Sequence, residues 1–208
     1  MGINRGVLIT FEGIEGCGKS TQINKIYKFL KKKRISCIKT REPGGTQLSE
    51  KIRKLIIHDL KNNEDNLTEL LLLFASRSNH FIKISTYLQK KYVVICDRYI
   101  DSTYAYQHYE QGQSLKFINL LQKKIDNNVK PNITFFLDVP PSVSKKRINK
   151  RKKLDRFDKY NKNKMNKLRK SFIKLTKKHR RIVKIDGNKN ANLVHQDIIN
   201  CLLKKNVI

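Results

Sequence analysis

Val7-Leu8-Ile9-Thr10-Phe11-Glu12-Gly13-Ile14-Glu15-Gly16-Cys17-Gly18-Lys19-Ser20 is the stretch from which the fold of this 208-residue chain is read. Val7–Phe11 is a short apolar run, and Gly13 to Ser20 fits G-x-x-x-x-G-K-[ST] at every fixed position. The motif requires a strand before it and a helix after it. Both are present, since Lys19–Lys32 carries Ile23, Ile26, Tyr27, Phe29 and Leu30 near helical spacing. The glycines let the backbone curl so that its N–H groups converge on phosphate oxygens, and the helix N-terminus adds positive potential. Lys19 reaches toward the β- and γ-phosphates, and Ser20 offers its hydroxyl to Mg²⁺. The loop Gly13, Ile14, Glu15, Gly16, Cys17, Gly18, Lys19, Ser20 therefore points to a nucleoside triphosphate with Mg²⁺. A chance glycine-rich turn is the alternative, and the flanking strand and helix count against it. The loop does not separate kinase, GTPase and ATPase, but no N-K-x-D guanine-specificity motif is present.

Outward from the loop, strands and helices alternate. Strand-like runs fall at Val7–Glu12, Cys37–Arg41, Tyr92–Asp97, Ile133–Val139 and Arg181–Asp186, several apolar almost throughout, as strands buried on both faces of a parallel sheet should be. Helical segments fall at Lys19–Lys32, Ser49–Ile57, Leu67–Gln89 (with Thr68 as a possible start), Leu115–Asn127, Lys164–Lys178 and Leu193–Lys204. This predicts a three-layer α/β fold with right-handed crossovers. The length suits one domain over residues 1–208, with room for a small mobile subdomain. Ser144–Lys170 is densely basic and poor in large apolar residues. A helix–loop–helix flap over the phosphates and a solvated basic connection both fit it.

The chain has 46 Lys+Arg against 17 Asp+Glu, a formal charge of +29. Two readings stand: an anionic or nucleic-acid partner, or compositional drift in a chain rich in Lys, Asn and Ile. Either way the surface should concentrate phosphorylated substrates. No apolar run reaches the length of a membrane span, the N-terminus does not resemble a signal peptide, and position 6 is Gly, against a myristoylation signal. A cytoplasmic location is expected. Cys17, Cys37, Cys96 and Cys201 are scattered, with no CxxC pair or Cys/His cluster, so reduced thiols are expected and a structural zinc site is not.

Four further segments narrow the class. Arg41-Glu42-Pro43-Gly44-Gly45-Thr46 resembles the REPGG segment of bacterial thymidylate kinases. Asp97-Arg98-Tyr99 is similar to that family's DR[YFH] motif, and Asp101 to Gln107 to its nucleoside-binding segment. Leu70–Phe74 with Ala75-Ser76-Arg77 resembles the helix that holds the thymine ring. The matches run in order from residue 7 to about 190. The resemblance implies a P-loop kinase fold with a five-stranded parallel sheet flanked by helices, a LID at about 144–164, a homodimer, and the conversion of ATP and dTMP to ADP and dTDP. Membrane association and specific nucleic-acid binding are not expected.

Roles follow position by position. Lys19 and the loop amides would hold the ATP phosphates. By resemblance, Glu15 stands where the family sets a carboxylate against the 3′-hydroxyl of dTMP, and Arg41 and Pro43 belong to the substrate segment. Asp97 ends an apolar strand on the ligand side of an open sheet and is assigned, with Ser20, to Mg²⁺. Arg98 suits the phosphate of dTMP, where a guanidinium can clamp two oxygens. A structural ion pair at the strand end is the other reading for Asp97 and Arg98. Phe74 is the residue for stacking on thymine, with Leu73 competing for that place, and Arg77 would donate to the base edge. Thr103, Tyr106 and Gln107 resemble residues around base and sugar, Tyr106 standing where a 2′-hydroxyl would intrude.

Position 16 is Gly, whereas some thymidylate kinases place Arg within the loop, so the resemblance is to the type that supplies its basic group from the LID. Arg147, Arg151 and Arg156 match LID arginines, with Arg151 chosen to stabilise the transferring phosphoryl group. Departures from the family pattern are Asn149 for an arginine, Lys152 for a glycine and Asp158 for a glutamate. Two other readings remain: a kinase for another nucleotide or a deoxynucleoside, and a basic nucleic-acid-binding ATPase.

Overall fold

All of the apolar runs become strands. In the computed structural model, which describes residues 5–60, 66–126, 129–151 and 154–208, the strands are β1 (Val7–Glu12), β2 (Cys37–Arg41), β3 (Val93–Asp97), β4 (Ile133–Asp138) and β5 (Ile182–Asp186). They pair in parallel in the order β2-β3-β1-β4-β5, with Phe11 opposite Asp97 and Ile9 opposite Ile133. This is the expected five-stranded parallel sheet, with boundaries close to those read from the sequence.

Alternation on the strands splits the core into two layers. Val7, Ile9 and Phe11 of β1 join Val93, Ile95, Phe135 and Leu137 on one face. Leu8, Val94 and Cys96 join Leu70, Phe74, Ile84 and Ile118 on the other. Every residue of β1 is buried, as its apolar run requires.

Helix α1 (Lys19–Lys32) follows the loop directly. Next come α2 (Gln47–Lys54), capped by Thr46 and running into a wider turn at Leu55–Asp59, and α3 (Asn66–Gln89). Two helices that the sequence pattern did not announce follow strand ends: α4 (Ile100–Thr103) and, after α5 (Leu115–Asp126), α6 (Pro141–Ile148). Helix α4 is four residues long and passes into a π-type turn at Tyr104–His108, too short for a 3.6-residue period to show. Helix α6 opens on Pro141, where the missing N–H costs nothing. Helices α7 (Lys162–Lys178) and α8 (Ala191–Lys204) complete the chain. The basic segment thus begins in α6 and ends in α7; Lys152 lies outside the described residues.

Candidate active site

The C-terminal ends of β1, β2 and β3 open onto one cavity of about 510 Å³. Its floor includes Glu15, Gly16, Gly18, Lys19 and Ser20 of the loop, with Asp97 and Arg98 from the end of β3. Ligands enter open parallel sheets at this edge. The curl of the loop depends on left-handed glycines: Gly16 has φ 71°, and a Cβ there would lie 2.8 Å from the Ser144 carbonyl oxygen. Gly18, at φ 104°, turns the chain into α1. Lys19 Nζ is fixed inside the loop, donating to the Gly13 carbonyl at 3.0 Å and the Ile14 carbonyl at 3.1 Å.

Helix α6 sits directly on this loop. Ser144 Oγ donates to the Glu15 carbonyl, and Arg147 donates to the Gly187 carbonyl at 3.0 Å and the Cys17 carbonyl at 3.4 Å. Arg147 therefore ties the loop after β5 to the phosphate loop.

A second group of side chains forms the opposite wall. Glu15 binds the Arg98 guanidinium at 2.7 Å and accepts from the Tyr106 hydroxyl at 2.8 Å. Arg98 also lies over the Tyr106 ring, 5.3 Å from its centroid. Burial disfavours the charge of Arg98, but neighbouring Tyr106 and Glu15 more than offset this and hold its pKa well above the usual value. Arg77 is buried and held on three sides: Nε by Glu42 at 2.8 Å, Nη1 by Gln122 at 3.1 Å and Nη2 by Thr103 at 2.9 Å. Burial is the largest influence on Glu42 and works against its ionised form, yet the charges and hydrogen bonds of Arg77 and His80 together outweigh it and lower the Glu42 pKa. Gln107 donates to Glu69 at 2.8 Å.

The segment after α6 closes over this wall. Arg156 pairs with Glu69 of α3, its guanidinium lies 4.5 Å from the Phe157 ring centroid, and Phe157 meets Tyr106 edge-on. Arg151 pairs with Asp158 at 2.8 Å while its side chain stays 46% exposed.

The thymidylate kinase family model matches residues 11–198. The chain belongs to the thymidylate kinase family. It is 39% identical over 205 residues to the thymidylate kinase of Sulfurihydrogenibium sp. (strain YO3AOP1), covering 98% of this chain and all of that protein. It is 41% identical over 198 residues to that of Vesicomyosocius okutanii subsp. Calyptogena okutanii (strain HA), covering 94% and 97%. A crystal structure of the thymidylate kinase from Ehrlichia chaffeensis superposes with a TM-score of 0.78 at 34% identity, covering 95% of this chain and 99% of that one.

Set on this thymidylate kinase fold, the residues singled out in the sequence gather round the cavity with few exceptions. Glu15, Lys19, Ser20, Arg41, Pro43, Arg77, Asp97, Arg98, Thr103, Tyr106, Gln107, Arg147 and Arg151 line it. Ile14 and Cys17 turn their side chains into the core. One assignment needs correcting. Phe74 is not on the wall; it is buried among Leu8, Leu70, Val94 and Tyr99, and Leu73 lines the cavity in its place. Arg41 is bound in two-pronged fashion by Glu50, at 3.1 and 2.6 Å, at the cavity rim. Arg156 lies outside the lining and acts on Glu69. The sequence reading missed Arg53, Ile57 and Glu69, all on the wall, and gave Ser102 only as part of the nucleoside-binding segment. A four-residue spacing on α3, Glu69-Leu73-Arg77, was the signal that could have found Glu69 and chosen Leu73.

Proposed function

We infer that the chain transfers the γ-phosphoryl group of ATP to dTMP, giving ADP and dTDP. One observation carries this reading: the phosphate loop and the Arg98–Tyr106–Arg77 wall face each other across a single cavity. Phosphoryl transfer asks for positioning and charge neutralisation more than for covalent chemistry. Lys19 and the loop amides hold the ATP phosphates. Arg98 binds the phosphate of dTMP, and Glu15 sets the angle of Arg98 while offering a carboxylate to the sugar. Arg77 reads the base edge against the apolar wall of Leu73. Tyr106, pinned by Glu15, narrows the sugar site in favour of the deoxy form.

The donor set at the loop suits Mg²⁺. Asp97 Oδ1 is buried without a protein hydrogen-bond partner, and Asp97 and Ser20 line the same cavity. Among the described residues no cluster of three or more His, Cys, Asp or Glu could hold a metal by itself, so Ser20, Asp97 and nucleotide phosphate oxygens would share the ion. When bound, the ion would neutralise phosphate charge. Arg151, on the LID at about 144–164, is half-exposed and would exchange its pair with Asp158 for the transferring group; Arg147 keeps the LID base on the loop, and Arg156 latches the LID to α3. We also read the chain as one domain over 1–208, working as a homodimer in the cytoplasm. No helix among the described residues is long and apolar enough to cross a membrane.

Assay of the purified protein against a panel of nucleoside monophosphates tests the reaction. Preference for dTMP is expected, and a tenfold or greater preference for any other acceptor would overturn the substrate assignment. In the same assay Arg98→Ala should raise KM for dTMP by about 10²-fold, the loss of a charge-assisted contact, with KM for ATP little changed.

A further inference from the structure

Glu12 closes β1, is fully buried, and does not line the cavity. Its carboxylate nevertheless accepts from the Tyr99 amide at 2.8 Å, the Ser102 amide at 3.3 Å and the Ser102 hydroxyl at 2.5 Å. Those groups belong to the N-terminal end of α4. Tyr99 occupies the cap position and supplies no side-chain cap, so Glu12 satisfies helix-end amides from another element. Ser102 Oγ in turn accepts from Arg98 Nη1 at 3.0 Å, while Arg98 Nη2 goes to Glu15. Arg98 itself has φ 67°. That conformation is disfavoured for a residue with a Cβ and persists only when neighbours hold it. The neighbours are the Phe11 carbonyl, which takes the Arg98 amide at 3.0 Å, and Glu12, which takes the next amide along the chain.

We propose that Glu12 is a positioning residue for the acceptor phosphate, acting through Ser102 to fix both the backbone turn at Arg98 and the direction of its guanidinium. The proposal rests on the reading of Arg98 as the dTMP-phosphate ligand. The hydroxyl proton of Ser102 is the adjustable part. With Glu12 ionised, Ser102 donates to Oε2 and keeps its lone pairs for Arg98. With a neutral group at position 12 that can donate, the Ser102 proton is released toward the cavity that Ser102 lines. Among the described residues Arg98, Asp101, Arg181 and the Cys96 thiol interact electrostatically with Glu12. Burial and the charge of Asp101 push the Glu12 carboxyl up to about 7, against Arg98 and the hydrogen bonds from Ser102 and Tyr99. Arg181 neutralises Asp101 through contacts at 2.6 and 2.7 Å, and the charge of Glu12 is among the causes raising the Cys96 thiol.

Steady-state kinetics at about pH 8.5, where Glu12 is ionised, on Glu12→Gln, Ser102→Ala and the double variant test it, with Arg98→Ala alongside. Glu12→Gln and Ser102→Ala should each raise KM for dTMP by about tenfold, the worth of one buried charge-assisted hydrogen bond, and leave KM for ATP within about twofold. Because both act through one relay, the double variant should be no worse than the poorer single one. A purely structural role for Glu12 would disturb both substrates and leave Ser102→Ala silent. If Glu12→Gln fails to fold, Ser102→Ala cuts the same relay without touching the buried carboxylate. Wild-type KM for dTMP in Ser102→Ala, with Arg98→Ala impaired, overturns the relay alone. Wild-type behaviour of Arg98→Ala overturns the assignment of Arg98.

Discussion

Glu12 binds its proton more tightly in the folded chain than a free glutamate does, since burial and Asp101 lift its pKa from 4.5 to about 7. A raised acid pKa means that the folded state prefers the protonated form. Its contribution to stability is then fully present below about pH 4.5 and is lost as pH rises through about 7. Glu12→Gln cannot titrate. The stability of the variant relative to the wild type should therefore improve by about 3 kcal/mol between pH 4.5 and pH 8, the free-energy equivalent of that lift. Urea unfolding of both proteins across this range measures it, and parallel pH profiles would refute it. Gly16 illustrates a different single-residue constraint. Its left-handed φ and the Ser144 carbonyl leave no room for a side chain, so this loop could not accept an arginine without displacing α6.

At the scale of elements, α3 carries two stripes that differ by one residue. Glu69, Leu73 and Arg77 fall four apart and face the cavity, while Leu70 and Phe74 face the core. Phe74 backs the Arg77 guanidinium, which lies 5.0 Å from its ring centroid. Truncation should separate the stripes. Phe74→Ala should cost about 3–5 kcal/mol of stability, as a large buried ring does. Leu73→Ala should cost less than about 2 kcal/mol while raising KM for dTMP several-fold, since Leu73 is only partly buried and its side chain faces substrate. Thermal melts together with dTMP kinetics decide it; a large loss of stability in Leu73→Ala with unchanged KM would reverse the two roles. The strands and the phosphate loop were readable in advance because local pattern determines them: runs buried on both faces, and glycines at fixed spacing. The LID contacts were not. That Arg147 reaches the Gly187 carbonyl, Arg151 reaches Asp158 and Arg156 reaches Glu69 depends on how α6, the loop and α3 meet, which no periodicity encodes. Arg53 was invisible for the same reason: it enters the site only because α2 lays it beside Pro43, whose carbonyl it donates to at 3.0 Å.

For the whole molecule, the +29 charge has a spatial side. Many of the few acids are turned inward and already matched, Glu15 with Arg98, Glu42 with Arg77, Glu69 with Arg156 and Asp101 with Arg181. The lysines are mostly on the outside, so the surface field is more positive than the cavity walls alone would make it. Both substrates of this reaction are polyanions, and a positive field raises their local concentration and encounter rate. Because the Debye length shrinks from about 30 Å at 0.01 M salt to about 10 Å at 0.1 M, the benefit should be screened over an accessible range. We expect kcat/KM for dTMP to fall by about five- to tenfold between 10 and 300 mM KCl, with kcat at saturation changing far less, since the field acts on encounter and not on the buried ion pairs that set the geometry. The same titration in the presence of single-stranded DNA or RNA separates this from a polymer-binding role. Competition that disappears with salt fits a general field, whereas polymer-stimulated ATP hydrolysis would mean that the surface charge serves a second partner. A kcat/KM indifferent to salt would mean that the excess lysines do nothing for catalysis.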